Sequence, residues 1–223
     1  MTDQSNKAKP LACSLIPSNF TAMLAALALC AAFSNLQAAD SKTLYTSCAA
    51  CHGQKGEGNR ALGAPNIAGM ADWYVKTQLE NFASGRRGTN PGDTYGAQMR
   101  AGAMTLSTPA DRATVSAFVA KMPKTAITTK PPAKANLANG ATQYNALCGS
   151  CHAANGKGNK ALGAPALAGI DSVYIARQYG NFRKGLRGTH PSDKLGKQMV
   201  AISKMLDAKA EQDVLAYIGT LKP

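Results

Sequence analysis

Cys48-Ala-Ala-Cys51-His52 and Cys148-Gly-Ser-Cys151-His152 are two copies of one short pattern in a chain of 223 residues. The spacing suits one chemistry in particular. Two thiols add across the two vinyl groups of a haem, and the histidine that follows lies under the iron as an axial ligand. A short helix brings all three groups to the same side of the ring. Cys-x-x-Cys alone also occurs as half of a zinc site or as a redox dithiol. One zinc site built from all four of these cysteines would leave both histidines without a task. The pattern therefore predicts two covalently bound haem c groups, held by Cys48, Cys51 and His52 and by Cys148, Cys151 and His152.

The ligand on the opposite face of the iron separates electron transfer from small-molecule chemistry. The chain has three histidines, and the third, His190, corresponds to Asn90 in the first copy, so it cannot serve both sites alike. Beyond residue 39 the methionines are Met70, Met99, Met104, Met122, Met199 and Met205. Only Met99 and Met199 are related by a shift of 100 residues, and each follows a glutamine beyond a glycine-bearing loop. They are the expected ligands, with Met104 and Met205 as the alternatives and Met70 and Met122 as flexible core fillers. His/Met ligation fills both axial positions and raises the reduction potential. Such an iron exchanges electrons rather than binding substrate, which favours a carrier over an enzyme.

Other residues have supporting parts. Pro65 and Pro165 lie thirteen positions after the motif histidines, where a backbone carbonyl can accept the Nδ1 proton and fix the tautomer. Arg87 and Arg187 suit either haem propionates or a solvated loop. Trp73, Tyr74, Tyr174, Phe118 and Ile218 read as packing around the haems. The Gly-x-Gly at 56–58 and 156–158 lacks the strand and helix of a nucleotide site.

The same shift of 100 residues aligns much more than the motifs. Gly56, Gly58, Asn59 and Ala61-Leu-Gly-Ala-Pro65 all recur, as do Asn81, Phe82, Arg87, Gly88, Asp93, Gly96 and Met99, with no gap needed. Two copies are too few for a solenoid, so the reading is two homologous domains, 40–122 and 136–223. Between them, 123–135 is rich in Pro, Thr and Lys and reads as a stiff linker around Pro131-Pro132. Helical signals dominate. Ser41 to Cys51 leads into the first motif, and 72–84 and 172–184 have apolar residues near helical spacing. Ser107-Thr-Pro109 and Asp207 mark later helix starts. The glycine-rich stretches 53–71 and 85–96 read as loops.

Residues 1–39 read as a signal peptide. Lys7 and Lys9 precede an apolar run from Ala22 to Phe33, and small residues end at Ala38-Ala39. A retained membrane anchor or a lipoprotein through Cys30 are the alternatives. An exported chain allows disulfides, but the four cysteines beyond the leader all lie in the haem motifs. The net charge is +13, of which Lys7, Lys9 and Asp3 leave +12 beyond the leader. That surplus favours acidic partners or a membrane surface, or serves solubility.

Taken together, these residues resemble the class I cytochromes c, and among them the dihaem cytochrome c4 family. The resemblance covers nearly all of 40–223. It rests on the tandem motifs, the Gly-Ala-Pro segments at 63–65 and 163–165, the Gly-Thr pairs at 88–89 and 188–189, and Gln-Met at 98–99 and 198–199. It implies an all-α fold of two tandem class I cytochrome c domains, each wrapped around one covalent haem. The axial pairs would be His52 with Met99 and His152 with Met199, and the domains would pack face to face with the propionates near their interface. It further implies a periplasmic electron carrier passing electrons towards a terminal oxidase or reductase, with no nucleic-acid partner. The alternatives are a cytochrome subunit of a dehydrogenase, such as a flavocytochrome sulfide dehydrogenase, and a dihaem peroxidase or thiosulfate-oxidising cytochrome. The paired Gln-Met sequences argue against the last two enzymes. The strong basicity departs from the family and leaves the partner open.

Overall fold

A computed structural model describes residues 40–124, 127 and 134–223; the leader and most of the linker, Pro131-Pro132 included, lie outside the described residues. In the first half, four helices follow in order: α1 Ser41–His52, α2 Asp72–Ala83, α3 Thr94–Met104 and α4 Pro109–Lys121. In the second half come α5 Leu137–Leu147, α6 Gly149–His152, α7 Ser172–Arg183, α8 Lys194–Ile202 and α9 Ala208–Ile218. Among the described residues none of these is long and apolar enough to cross a membrane.

The helix starts follow from local chemistry. Asp40 caps α1 by accepting from the Thr43 N–H, and Asp207 caps α9 through the Ala210 N–H at 2.8 Å. Thr108 and Asp111 form a reciprocal capping box ahead of α4, with Pro109 in the first turn, where its missing N–H costs nothing. α3 starts inside the stretch 85–96, which reads from the sequence as a loop, and α8 starts at the equivalent place. The reason is Asp93 and Asp193, whose carboxylates accept from the N–H of Gly96 and Gly196 at 3.0 and 2.8 Å. Weakly helix-favouring residues then continue as helix because tertiary packing outweighs propensity.

Each half closes its own core. Tyr45, Leu79, Phe82, Leu106, Val115 and Val119 are buried together in the first, and Tyr144, Ile175, Tyr179, Leu206, Val214 and Ile218 in the second. The expected haem-packing residues Phe118 and Ile218 belong to these cores, and Phe118 lies 5.3 Å from the Tyr45 ring. Tyr45 donates to Gly53 O and Tyr144 to Ala153 O, both at 2.8 Å, so these tyrosines are structural equivalents 99 rather than 100 positions apart. The gapless alignment therefore slips by one before the second motif. The extra residue is absorbed where α5 ends at Cys148 and α6 restarts, whereas α1 runs unbroken into His52.

The halves meet across a pseudo-symmetric seam. Gln78 Oε1 accepts from both Arg87 Nη1 (2.9 Å) and Arg187 Nη2 (3.0 Å), and Gln178 Oε1 accepts from Arg187 Nη1 and Arg87 Nη2, both at 2.8 Å. Away from that centre the seam is asymmetric. Arg60 Nε donates to Asp171 at 2.6 Å, while Asn66 donates to Gly169 O at 3.1 Å and accepts from the Asp171 N–H at 3.2 Å. The symmetry-related positions hold Lys160, Ala71 and Ala166, which cannot form the same contacts.

Candidate functional site

The two motif regions are built alike. His52 sits at the end of α1 with its ring buried, 7% exposed, and His152 at the end of α6 with 8%. The chain then turns through Gly53 at φ +82° or Ala153 at φ +63°, the latter a costly left-handed conformation for a residue with a Cβ. The N–H of Gly58 and of Gly158 returns to the motif histidine's own carbonyl at 2.8 Å. A Cβ on Gly58 would lie 2.5 Å from Asn66 N and 2.6 Å from Pro65 C, so glycine is needed for close backbone approach as well as for its φ of +84°. That packing accounts for the repeated Gly-x-Gly. A short antiparallel bridge between Asn59 and Ala64, repeated at Asn159 and Ala164, then delivers the proline.

The result is a histidine held from one side. The Nδ1–H of His52 donates to Pro65 O at 2.9 Å, and that of His152 to Pro165 O at 2.8 Å. This leaves Nε2 of each ring available to a metal with the tautomer set. Burial pushes both imidazoles below their usual range, with the prolyl carbonyls opposing it, so the neutral ligating form is favoured. Cys48 and Cys148 are half-buried, Cys51 and Cys151 are exposed, and all four are free thiols. Burial raises the Cys48 thiol and drives Cys148 to about 11. A redox dithiol needs the opposite shift. Among the described residues no group of three or more His, Cys, Asp or Glu converges on a metal position, which disfavours the four-cysteine zinc site.

The methionines fall into distinct environments. Met99, in α3, is half-buried against the first core, and Met199, in α8, is half-buried at the equivalent place. Met104 and Met205 are 54% and 60% exposed. Met122 is buried, and its sulfur would meet a Cβ on Gly56 at 2.9 Å. His190 is occupied locally, its Nδ1 lying 2.9 Å from the Ser192 hydroxyl.

Arg87 and Arg187 are not solvated loop charges. Each guanidinium lies over a phenylalanine ring, Phe82 at 4.4 Å and Phe182 at 4.5 Å. Neither has a carboxylate within 4.0 Å among the described residues, and the buried Nε of Arg87 has no partner there. Burial and the charge of Arg187 both push the Arg87 guanidinium down. A buried and a half-buried cation beside an orphaned donor fit a group that brings its own carboxylates, as haem does. Sequence reasoning missed the two glutamines that join the arginines, since neither lies in a motif. Tyr174, Trp73 and Tyr74 also belong to the seam rather than to haem packing alone. The Tyr174 hydroxyl accepts from Arg87 at 3.4 Å, and Trp73 and Tyr74 share a cleft with Pro165 and Ile170 of the other half.

Comparison with known proteins agrees with this geometry. The family model described as Cytochrome c matches residues 38–123 and again 137–222. The thiosulfate dehydrogenase electron acceptor of Stutzerimonas stutzeri is 34% identical over 202 residues, spanning 82% of this chain and 88% of that protein. Reduced cytochrome c4 from Pseudomonas stutzeri superposes with a TM-score of 0.64 at 27% identity, covering 83% of this chain and 98% of that one. The thiosulfate dehydrogenase TsdBA from Marichromatium purpuratum gives the same TM-score at 30% identity; the match spans 81% of this chain but only 39% of that one.

Proposed function

Because this chain belongs to the cytochrome c family, as a two-domain member similar to cytochrome c4, we propose that it is an exported electron carrier that accepts electrons from a dehydrogenase and passes them towards a terminal oxidase or reductase. Its two Cys-x-x-Cys-His motifs carry two covalent haem c groups. When bound, each supplies a one-electron iron couple. The observation that carries the reading is the doubled construction of histidine, prolyl carbonyl and methionine in equivalent places.

In this reading Cys48, Cys51, Cys148 and Cys151 anchor the cofactors. His52 and His152 would hold the iron through Nε2 while Pro65 and Pro165 keep their Nδ1 protons, and Met99 and Met199 would be the second ligands. A thioether donor favours the reduced iron and raises the potential. A haem held by a histidine and a methionine would supply electron exchange rather than a substrate site, so the chain would act as a carrier and not as an enzyme. Arg87 and Arg187, which meet at the seam, would supply the positive charge that balances the propionates. Residues 1–39 direct export to the periplasm.

A second reading is favoured by the 34% identical relative named as a thiosulfate dehydrogenase electron acceptor: the donor is a thiosulfate-oxidising dehydrogenase, with this chain as its partner or subunit. One set of measurements on the holoprotein tests both. The reduced protein should not bind carbon monoxide, and rapid binding at either haem would overturn the carrier reading. Thiosulfate alone should leave the oxidised protein unchanged, whereas thiosulfate with a catalytic amount of thiosulfate dehydrogenase should reduce both haems. No reduction in that mixture would exclude the second reading.

A further inference from the structure

One side chain of the second half reaches the first half where the two segments that carry the proposed ligands meet. Arg177 lies on α7, and its Nη2 donates to Gly63 O. Gly63 opens the Gly-Ala-Pro segment that ends at Pro65, whose carbonyl holds His52. The same guanidinium lies over the Tyr95 ring, 4.2 Å from its centroid, and Tyr95 stands one helical turn before Met99 on α3. The two segments touch here, since a Cβ on Gly63 would strike the Tyr95 ring. Arg177 thus joins the histidine side of the first site to its methionine side.

The second site lacks this arrangement. Gly163 packs against Leu195 in the equivalent way, but position 77 holds a threonine, and its hydroxyl is spent on Trp73 O of its own helix at 2.8 Å. The Arg177 charge is also left unbalanced by the protein. It has no carboxylate within 4.0 Å among the described residues, and its Nε is buried there without a partner. The residue as a whole is half-buried, so water screens the charge only in part. A fixed cation favours the less positive state of an iron nearby, which is the reduced one. We infer that Arg177 is a positioning residue through which the second half raises the reduction potential of the first haem. It presupposes the carrier reading and adds to it a residue that biases how one electron is shared between the two haems. The bias runs one way, because Thr77 and Leu195 offer neither the cation nor the ring that would hold it.

The test is a spectroelectrochemical redox titration of the holoprotein, in which the wave that Met99→Ala displaces identifies the first haem. Arg177→Thr takes the residue that the first half already carries at this place on its helix. It should lower the equilibrium constant for reducing the first haem about fivefold, or about 40 mV at about 59 mV per decade, and that of the second less than twofold. Arg177→Lys keeps the charge without the forked contacts and should recover most of that shift. Tyr95→Leu takes the second half's residue and removes the ring that holds the guanidinium over α3. It should lower the first wave in the parent and add nothing in Arg177→Thr. A first wave that stays in place in Arg177→Thr would overturn the inference, and a lower unfolding midpoint in that variant would then make Arg177 a fastener between the halves and nothing more. Equal displacement of both waves would overturn it as well, since the charge would then act on the seam as a whole. A parent without two reversible haem waves would instead defeat the carrier reading itself.

Discussion

Gly140→Ala should destabilise the second half, although alanine is the better helix former. Gly140 is buried in α5 where that helix crosses α9. A Cβ there would press into the Asp213 carbonyl, 2.7 Å from its carbon and 2.9 Å from Tyr217 Cβ. The obstruction is backbone, so no rotamer change relieves it and the two helices must separate. Separation also stretches the Asp213 contacts that tie the helices together. Its carboxylate accepts from Asn136 N at 2.8 Å and from Asn139 Nδ2 at 2.9 Å, and the Tyr144 and Tyr217 rings pack at a tilt with centroids 5.5 Å apart. Overpacking costs about 1–3 kcal/mol, with rigid neighbours at the upper end. Exchanging Gly for Ala inside a helix returns about 1 kcal/mol. The net expectation is a loss of about 2 kcal/mol. Gly180→Ala is the internal control. Gly180 lies within α7, a Cβ there meets nothing within 4 Å, and the first half carries Glu80 at that position. It should gain about 1 kcal/mol from propensity alone. Guanidinium chloride unfolding of the holoprotein, followed by far-ultraviolet circular dichroism and haem absorption, measures both. If Gly140→Ala matched or exceeded the parent in stability, the reading of α5 against α9 as a backbone-to-backbone contact would be wrong.

Two further substitutions probe the ligands and the seam. Met99→Ala should open the first haem to carbon monoxide and lower its potential while sparing the second, and Met199→Ala should do the reverse; an effect of Met104→Ala in place of Met99→Ala would show a misplaced register. Asp171→Ala removes the α7 cap on Val173 N at 2.8 Å and the Arg60 ion pair together, and should cost about 1–2 kcal/mol. Burial pushes the Asp171 carboxyl up, but Arg60 and the backbone donors outweigh it and hold it below the usual carboxylate range. Its contribution is therefore complete above the ordinary carboxylate pKa near 4 and is lost as pH falls through the lower folded value. Parent and variant stabilities should converge in acid, and a difference that is constant down to the acid limit would exclude the ion pair as its source.

The sequence alone carried the attachment chemistry, because covalent haem binding requires its cysteines and histidine to be contiguous. Duplication was equally legible, since it preserves spacing over a hundred residues, and helix starts at Thr108 and Asp207 follow from capping within one turn. The tertiary structure decided what depends on distant surfaces. Asp93 starts a helix where glycine-rich sequence reads as loop, and Asp193 does so at the equivalent place, because each carboxylate meets the N–H three residues on. The offset of Tyr45 and Tyr144 appears only through shared contacts with Gly53 and Ala153. Above all, Arg87 and Arg187 left two readings open in sequence. Gln178 and Gln78, 91 and 109 positions from the arginines they meet across the seam, rule out the solvated loop. Whether a charge is solvated or buried is set by the surface that comes to lie against it, and no local pattern of residues encodes that surface.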